Sequence, residues 1–133
     1  MEAMMSARTD LGYDPDRLCA EFLAPWNDHD VEAAIATFSG DGFWEFTVGS
    51  EPWGRTYTGR EALREAIGAV FTAIPDIHYE VVRYHAAPTH LTMEVLVTGT
   101  NGEGKKLNYQ ACDILSLDAG KVTGKRSYRK VVS

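Results

Sequence analysis

From residue 77 onward, the chain consists of four strand-like segments joined by short turns. Apolar and polar residues alternate along each segment, as in a strand that buries one face. Turn-forming sequences separate the segments: Ala87-Pro88, Asn101-Gly102 and Asp118-Ala119-Gly120. Because parallel strands need long crossover connections, these short links favour an antiparallel meander. The strands are predicted at residues 77–85, 90–100, 105–117 and 122–131.

Helical patterns occupy the first half of the chain. The first helix begins at Asp14, a good N-cap residue, and Pro25 is expected to kink or end it. A second, short helix starts after Asp28 or Asp30, and the Ser-Gly-Asp-Gly sequence at residues 39–42 is predicted to stop it. A strand at residues 43–48 and a long loop at residues 49–59 follow.

The third helix has the clearest periodicity, and Pro75 is expected to close it. Its apolar stripe recurs at helical spacing: Leu63, Ile67, Val70, Phe71 and Ile74. Helices gathered before a meander are typical of an α+β fold. We therefore predict a curved antiparallel sheet wrapped around three N-terminal helices, forming a cone with an internal pocket.

The composition excludes several classes of partner. A net charge of −6 argues against nucleic acid, which recruits clustered Lys and Arg. No apolar run reaches membrane length, and residues 1–11 are polar without an apolar h-region, so we expect a cytoplasmic protein with no membrane partner. Its four histidines lack metal-ligand spacing, and its two cysteines are expected to be free thiols. We expect a disordered lead at residues 1–12 and a single domain at residues 13–133.

A carboxylate interrupts the apolar face of the third meander strand. Asp113 shares that face with Leu107, Tyr109, Ala111, Leu115 and Leu117. A charge buried there must be paired, hydrogen-bonded or neutralised, because leaving it bare costs several kcal/mol. Asp113 is therefore the first candidate for chemistry.

The last strand places basic and hydroxyl groups on the same side. In the register of the meander, Lys125, Ser127 and Arg129 point into the cone. The Asp113 and Lys125 pair either lines a functional pocket or is a structural ion pair that positions the strands. A desolvated Lys125 could alternatively attack a carbonyl group to form a Schiff base.

Several phrases carry a resemblance to a known family. They are Trp-Asn-Asp-His-Asp-Val-Glu-Ala-Ala at residues 26–34, Val-Gly-Ser-Glu-Pro at 48–52, Gly-Arg-Glu-Ala-Leu-Arg at 59–64 and Gly-Lys-Val at 120–122. With the order of elements from Pro15 onward, the chain resembles the nuclear transport factor 2-like superfamily of cystatin-like α+β cones. That superfamily includes ketosteroid isomerases and SnoaL-like polyketide cyclases. The resemblance implies a homodimer, formed here through the convex sheet face, and a small-molecule ligand with neither metal nor organic cofactor.

The resemblance does not transfer the isomerase site intact. Phe46 stands where that family has its general-base aspartate, and Phe22 stands where it has its oxyanion-hole tyrosine. Asp113 aligns with the third member, a protonated aspartic acid, if one residue is deleted in the turn at 118–120; otherwise Cys112 takes that place. Related epoxide hydrolases and cyclases carry an acidic residue at the position of Ser127. Neither steroid isomerisation nor epoxide hydrolysis is therefore expected.

Aromatic side chains are predicted to form the pocket around the pair. Phe22 and Trp26 lie one turn apart on the first helix, and Trp44 and Phe46 share one strand face. Tyr109 completes this predicted wall. Tyr57 and Arg55, with Trp53, are predicted at the rim, whereas Glu45 should point outward and Glu94 should lie on the convex side with Asn108, Gln110 and Cys112.

The preferred function is cofactor-independent acid/base catalysis, of isomerase, dehydratase or cyclase type, on a small carbonyl-containing or cyclic substrate. Asp113 would transfer the proton or donate to an enolate oxygen, and Lys125 would stabilise negative charge. Ser127, Arg129 and the aromatic residues would bind the substrate. The main alternative is a noncatalytic ligand-binding protein or a small accessory subunit of an oxidoreductase complex.

Overall fold

Three helices and six strands make up residues 11–133, the part of the chain that the computed structural model describes. They are α1 (Pro15–Asn27), α2 (Val31–Ala36), β1 (Phe38–Glu45), β2 (Thr56–Thr58), α3 (Arg60–Ala73), β3 (His78–Ala86), β4 (His90–Thr100), β5 (Lys106–Asp118) and β6 (Lys121–Arg129). Residues 1–10 of the predicted N-terminal lead lie outside the described residues, so that prediction stays open. No helix between residues 11 and 133 is long and apolar enough to span a bilayer.

The strands form one curved, unclosed sheet in the order β2-β1-β6-β5-β4-β3. Strands β3 to β6 are the predicted antiparallel meander. Strand β1 pairs antiparallel with β2 but parallel with β6, so one pairing of the otherwise antiparallel sheet is parallel. The α+β class and the cone-like wrapping are confirmed.

Several predicted boundaries are wrong: β1 ends at Glu45 rather than at residue 48, and β2 (Thr56–Thr58) forms within the predicted loop at residues 49–59. Strand β1 begins at Phe38 rather than at residue 43, because a register shift between Phe38 and Phe43 accommodates the glycine-rich stretch within the strand. Helix α1 also continues past Pro25 to Asn27. The Pro25 nitrogen has no hydrogen to donate, which removes one hydrogen bond, but at the end of the helix the Asp28 N–H still donates to the Ala24 carbonyl at 2.9 Å.

Aspartates start the first two helices as the sequence predicts. The Asp14 side chain accepts hydrogen bonds from the N–H groups of Asp16 and Arg17, and Asp30 accepts one from Ala33. Each cap satisfies backbone donors that have no partner within the helix, which stabilises a helix by ~1 kcal/mol. These caps fix where α1 and α2 enter the concave side of the sheet.

The turn between α1 and α2 holds strand β3 in place. The Asn27 side chain donates to the Tyr79 carbonyl at 3.0 Å and accepts from the Tyr79 N–H at 2.8 Å. His29 adopts a positive φ of 55°, and its Nε2 lies 2.7 Å from the Ile77 carbonyl oxygen. These contacts position Tyr79 on the inner face of the sheet.

The core lies between the helices and the concave face. Its largest fully buried side chains come from all three helices and from β4, β5 and β6: Phe22, Trp26, Ile35, Leu63, Ile67, Leu91, Met93, Leu115 and Val122. Burying each of the larger ones is worth about 1.5–3 kcal/mol. Helix α1 packs on β3 while α3 packs on β1 and β2. The space between α3 and the sheet is not filled by the core.

Candidate active site

A cavity of about 350 Å³ occupies the space between α3 and the concave face of the sheet. Its wall is mainly apolar. The sheet contributes aromatic rings, and α3 contributes small and aliphatic side chains: Ala66, Ala69, Val70, Ala73 and Ile74. Ala69, Ala73 and Arg129 are solvent-exposed and mark the mouth. The volume falls within the usual range of small-molecule sites.

Asp113 lies in the wall of this cavity with only 4% of its surface exposed. It pairs directly with Ser127 across β5 and β6, and Ser127 Oγ donates a hydrogen bond of 2.7 Å to Asp113 Oδ1. Trp44 Nε1 donates to Ser127 Oγ at 2.9 Å. An indole N–H can only donate, so the serine oxygen accepts from Trp44 and its hydrogen points to the carboxylate. Asp113 Oδ1 therefore accepts a hydrogen bond from a hydroxyl whose orientation is fixed by Trp44.

Lys125 is equally buried, at 3% exposure, and also lines the cavity. Its Nζ is 3.9 Å from Asp113 Oδ2, close enough for charge attraction but too far for a hydrogen bond. The ammonium lies 3.7 Å from the centroid of the Trp26 ring and 4.6 Å from that of Trp44. Burial lowers the pKa of Lys125, and the Asp113 charge opposes that shift. The facing aromatic rings also favour the charged form.

The pair leaves hydrogen-bonding capacity unused. No acceptor among the described residues hydrogen-bonds Lys125 Nζ, and Asp113 uses Oδ1 for Ser127. Buried polar groups normally have partners, because leaving one unpaired costs about 1–3 kcal/mol. A polar group of a ligand in the cavity would meet both Nζ and Oδ2.

The predicted aromatic wall is correct in part. Trp44, Phe46, Tyr57 and Tyr109 line the cavity, but Phe22 and Trp26 do not. Both α1 residues are fully buried beneath Lys125, whose Nζ lies 6.0 Å from the Phe22 ring centroid. A stripe at helical spacing shows which face of α1 points inward but not how deeply that face is buried. The Phe22 and Trp26 rings pack behind Lys125 and do not contact the cavity.

Two arginines stack on tyrosines near the mouth. Arg129 Cζ lies 4.4 Å from the Tyr109 ring centroid, and Arg55 Cζ lies 4.8 Å from that of Tyr57. Burial raises the pKa of Tyr109, while the Arg129 charge opposes the shift. Tyr57 lines the cavity and Arg55 contacts its ring, but neither Arg55 nor Trp53, which is 56% exposed, is among the residues that line the cavity.

Sequence reasoning missed the α3 wall and Tyr79. The α3 residues that line the cavity include three alanines, which carry little hydrophobic signal of their own. Ile77 and Tyr79 follow the apolar alternation at the start of β3, and this alternation could have identified them as inward-facing residues. Burial strongly raises the pKa of Tyr79. Its phenol therefore contributes a neutral hydroxyl to this part of the molecule.

Acidic residues predicted to face outward do so. Glu45 contacts Arg126 at 3.4 Å, and Glu94 contacts Arg83 at 2.5 Å while pairing across the sheet with Cys112. Cys112 thus lies on the convex side, and Asp113 rather than Cys112 faces the cavity. Among residues 11–133 no three His, Cys, Asp or Glu side chains are grouped as a metal site would require.

A second cavity, of about 370 Å³, lies between α1 and β3. It is lined by small and apolar residues together with Asp16, Asn27, Tyr79 and Tyr84. Asn27 is already committed to the backbone of Tyr79, and Cys19 is a buried thiol whose pKa is raised to about 11 by burial. The described residues that line this cavity include no buried pair of opposite charges. Asp113 and Lys125 therefore remain the candidate site.

Solved structures of similar fold include enzymes and ligand complexes. SalBIII, an epoxide hydrolase/cyclase-like enzyme with a role in pyran ring formation in the polyether salinomycin, is 22% identical, with a TM-score of 0.74 over 88% of this chain and 91% of that one. A protein of ketosteroid isomerase-like fold from Catenulispora acidiphila DSM 44928, in complex with trimethylamine, is 20% identical, with a TM-score of 0.73 over 84% and 83%. TerC, co-crystallised with polyporic acid, is 16% identical, with a TM-score of 0.73 over 87% and 91%. At these identities the likeness concerns the fold.

The family comparison covers most of the described domain. No curated protein matches the chain. The model of the SnoaL-like domain matches residues 19–125, from helix α1 to the buried lysine. This protein therefore belongs to the SnoaL-like domain family.

Proposed function

We propose that this protein is a small-molecule enzyme that performs cofactor-independent acid/base chemistry on a carbonyl-containing or cyclic substrate. The observation that supports it is the pair of buried charges, Asp113 and Lys125, in the wall of an apolar cavity at 3.9 Å from each other. A purely structural ion pair gains most when its groups approach to hydrogen-bonding distance. Here each group keeps a hydrogen-bonding position for a ligand.

The geometry suggests how the two groups divide the work. Ser127 occupies Oδ1, so Oδ2 of Asp113 is the oxygen that takes a proton from the carbon next to a substrate carbonyl. The Lys125 ammonium donates to the carbonyl oxygen as negative charge develops there. Returning the proton to another carbon gives isomerisation, and loss of a β-hydroxyl group gives dehydration. A positioned acid or base of this kind contributes ~10²- to 10⁴-fold in rate.

The aromatic wall supports a substrate with an apolar ring. Trp44, Phe46 and Tyr57 lie in mutual ring contact, with centroid separations between 5.0 and 6.5 Å. Such rings bind a flat apolar body by packing against its face and edge. The role of SalBIII in pyran ring formation is consistent with a cyclic substrate for a protein of this fold.

Solvent exchange tests the proposal without knowledge of the natural product. We would incubate the protein in D₂O with cyclohexanone, 2-tetralone and acetophenone, and follow deuterium incorporation at the α-carbon by NMR. The wild-type protein should accelerate exchange above the buffer rate, and Asp113→Asn should remove the acceleration. Asp118→Asn, at the exposed end of β5, is the matched control and should exchange as the wild type does.

The noncatalytic alternative is favoured by one observation. Phe46 lines the cavity and Phe22 lies in the core at the positions where the isomerase resemblance expects a base and an oxyanion donor. Ketones that bind in the cavity without any exchange would indicate a ligand-binding protein or an accessory subunit of an oxidoreductase complex. Exchange that persists in Asp113→Asn would reject the assigned base.

We also propose that two copies pair through the convex face of the sheet. Tyr128 is 56% exposed there, in register with Cys112 and Glu94 on the neighbouring strands. Light scattering should give a dimer mass that Tyr128→Glu reduces to the monomer mass, whereas Trp53→Ser, in the exposed loop, should not. A monomeric wild type would reject the dimer. The cytoplasmic location and the domain bounds of 13–133 stay predictions.

A further inference from the structure

The charges that line the cavity do not cancel. Among the described residues the charged groups in its wall are Asp113, Lys125 and Arg129. With Asp113 ionised and Lys125 protonated, the pair is neutral and Arg129 leaves the cavity with one net positive charge. The chain as a whole carries −6, so this positive charge is local to the mouth.

Arg129 contacts the Tyr109 ring at the mouth of the cavity and has no counter-ion among the described residues. Its guanidinium stacks 4.4 Å from the Tyr109 ring centroid, and no carboxylate of residues 11–133 lies within ion-pair distance of it. Besides this stacking, a side-chain hydrogen bond links Arg129 to Tyr109 and occupies part of the guanidinium edge, but the guanidinium has five N–H donors and keeps others for a ligand. The other arginine of β6, Arg126, lies on the convex side and contacts Glu45 and Ser116.

The sheet sets the backbone separation between Arg129 and Ser127, the residue paired with Asp113. Arg129 pairs with Ala111, and Ser127 pairs with Asp113, so Arg129 lies two residues further along the strand. Two residues of an antiparallel strand span about 7 Å. That separation matches the length of one six-membered ring bearing a substituent at each end.

We propose that the substrate carries a carboxylate that binds Arg129 at the mouth, while its carbonyl group reaches Asp113 and Lys125. This inference rests on the proposed function and names its substrate class, a cyclic or aromatic keto acid. A guanidinium edge matches a carboxylate in a bidentate geometry. A monoanion balances the single positive charge, whereas a phosphate dianion would leave excess negative charge beside the apolar wall.

Matched probes test the carboxylate directly. 4-Acetylbenzoate carries a ketone and a carboxylate across one ring, and 4-acetylbenzamide replaces the charge with a neutral group of similar size. Binding is measured by titration calorimetry and by quenching of the Trp44 fluorescence at the cavity wall. A hydrogen bond to a charged group contributes about 1.5–3 kcal/mol, so the wild type should bind the acid about 10- to 100-fold more tightly.

Variants separate a contact from a general charge effect. Arg129→Gln should bring the acid-to-amide affinity ratio close to one, because the affinity for the acid falls much more than the affinity for the amide. Arg83→Gln, on the convex face, is the control and should keep the wild-type ratio. Arg129→Lys keeps the charge but loses the planar guanidinium that binds a carboxylate through two N–H groups, so it should give an intermediate ratio.

Two results would overturn the inference. One is equal affinity of the wild type for acid and amide, and the other is a preference for the acid that survives in Arg129→Gln. Neither affects the proposed function, which the deuterium exchange of neutral ketones tests separately. Loss of exchange in Asp113→Asn together with equal affinities would retain the enzyme and reject the keto acid.

Discussion

Ser127 donates a 2.7 Å hydrogen bond to Oδ1 of Asp113 across the pairing of β5 and β6. Because Trp44 Nε1 donates to the same serine oxygen, the serine hydrogen can only be directed to the carboxylate. The resemblance places an acidic residue at this position in related epoxide hydrolases and cyclases. With a hydroxyl there, Asp113 has no second carboxyl with which to share a proton, and Lys125 is its charged partner.

We predict that Ser127→Ala destabilises the protein by about 1–3 kcal/mol, because it leaves both Trp44 Nε1 and Asp113 Oδ1 without their partner. Ser127→Thr keeps the hydroxyl and should lose much less. Urea denaturation of both variants measures the difference. An alanine variant as stable as the wild type would show that this hydrogen-bond chain has no energetic role.

The Asp113 and Lys125 pair should behave as one unit in a double-mutant cycle. Lys125→Met leaves a buried carboxylate unpaired, and such losses cost about 3–5 kcal/mol. The double variant Asp113→Asn with Lys125→Met should cost at least ~1 kcal/mol less than the sum of the single changes. The exposed Arg17 and Glu21 pair is the control, and its coupling should be much weaker because solvent screens it. Additive free energies at the buried pair would contradict the coupling.

Burial gives Lys125 a definite effect on the pH dependence of stability. Its pKa is lowered in the folded state from an ordinary value of 10.5, so between the lowered value and 10.5 the unfolded chain binds more protons. The free energy of unfolding therefore rises with pH in that window. We predict that this rise is present in the wild type and absent in Lys125→Met, as measured by urea midpoints from neutral pH upward.

Cys19 acts in the opposite direction and must be separated from Lys125. Burial raises the pKa of its thiol from 9.0 to about 11, so the unfolded chain loses this proton first and stability falls as pH rises through that range. The Lys125→Met comparison is therefore made in a Cys19→Ala background. Identical pH profiles of the two proteins in that background would mean that Lys125 titrates as it does in the unfolded chain.

The sequence was sufficient to place Asp113 and Lys125 on the inner face of the sheet because strand alternation has a period of two. Asp113 and Lys125 are both buried on the inner face. A shift of the strand register by one residue would turn both side chains to the outer face. Helical periodicity is less informative about a cavity, since it gives a direction but no depth. Phe22 and Trp26 were therefore placed in the wall although they lie beneath it.

Other features depend on contacts between distant segments. The start of β1 at Phe38 depends on the parallel pairing with β6, which overrides the turn propensity of the glycine-rich stretch. The cavity itself exists because α3 presents alanines where larger residues would fill the space. The uncompensated charge of Arg129 likewise emerges only when all the side chains around it are placed.

Asn27 links the turn between the first two helices to the cavity wall, and its loss should loosen strand β3. Its side chain satisfies both the N–H and the carbonyl of Tyr79, at 2.8 and 3.0 Å. Asn27→Ala removes two hydrogen bonds of about 1 kcal/mol each, and we expect a stability loss of ~2 kcal/mol. Asn108→Ala, at an exposed position on β5, is the matched control.

Hydrogen exchange gives the local measurement of this effect. The Tyr79 amide should exchange faster in Asn27→Ala and at the wild-type rate in Asn108→Ala. Because Tyr79 lines the cavity, ketone affinity should fall with the same variant. Unaltered protection of the Tyr79 amide would mean that the β3 and β4 pairing alone holds this wall in place.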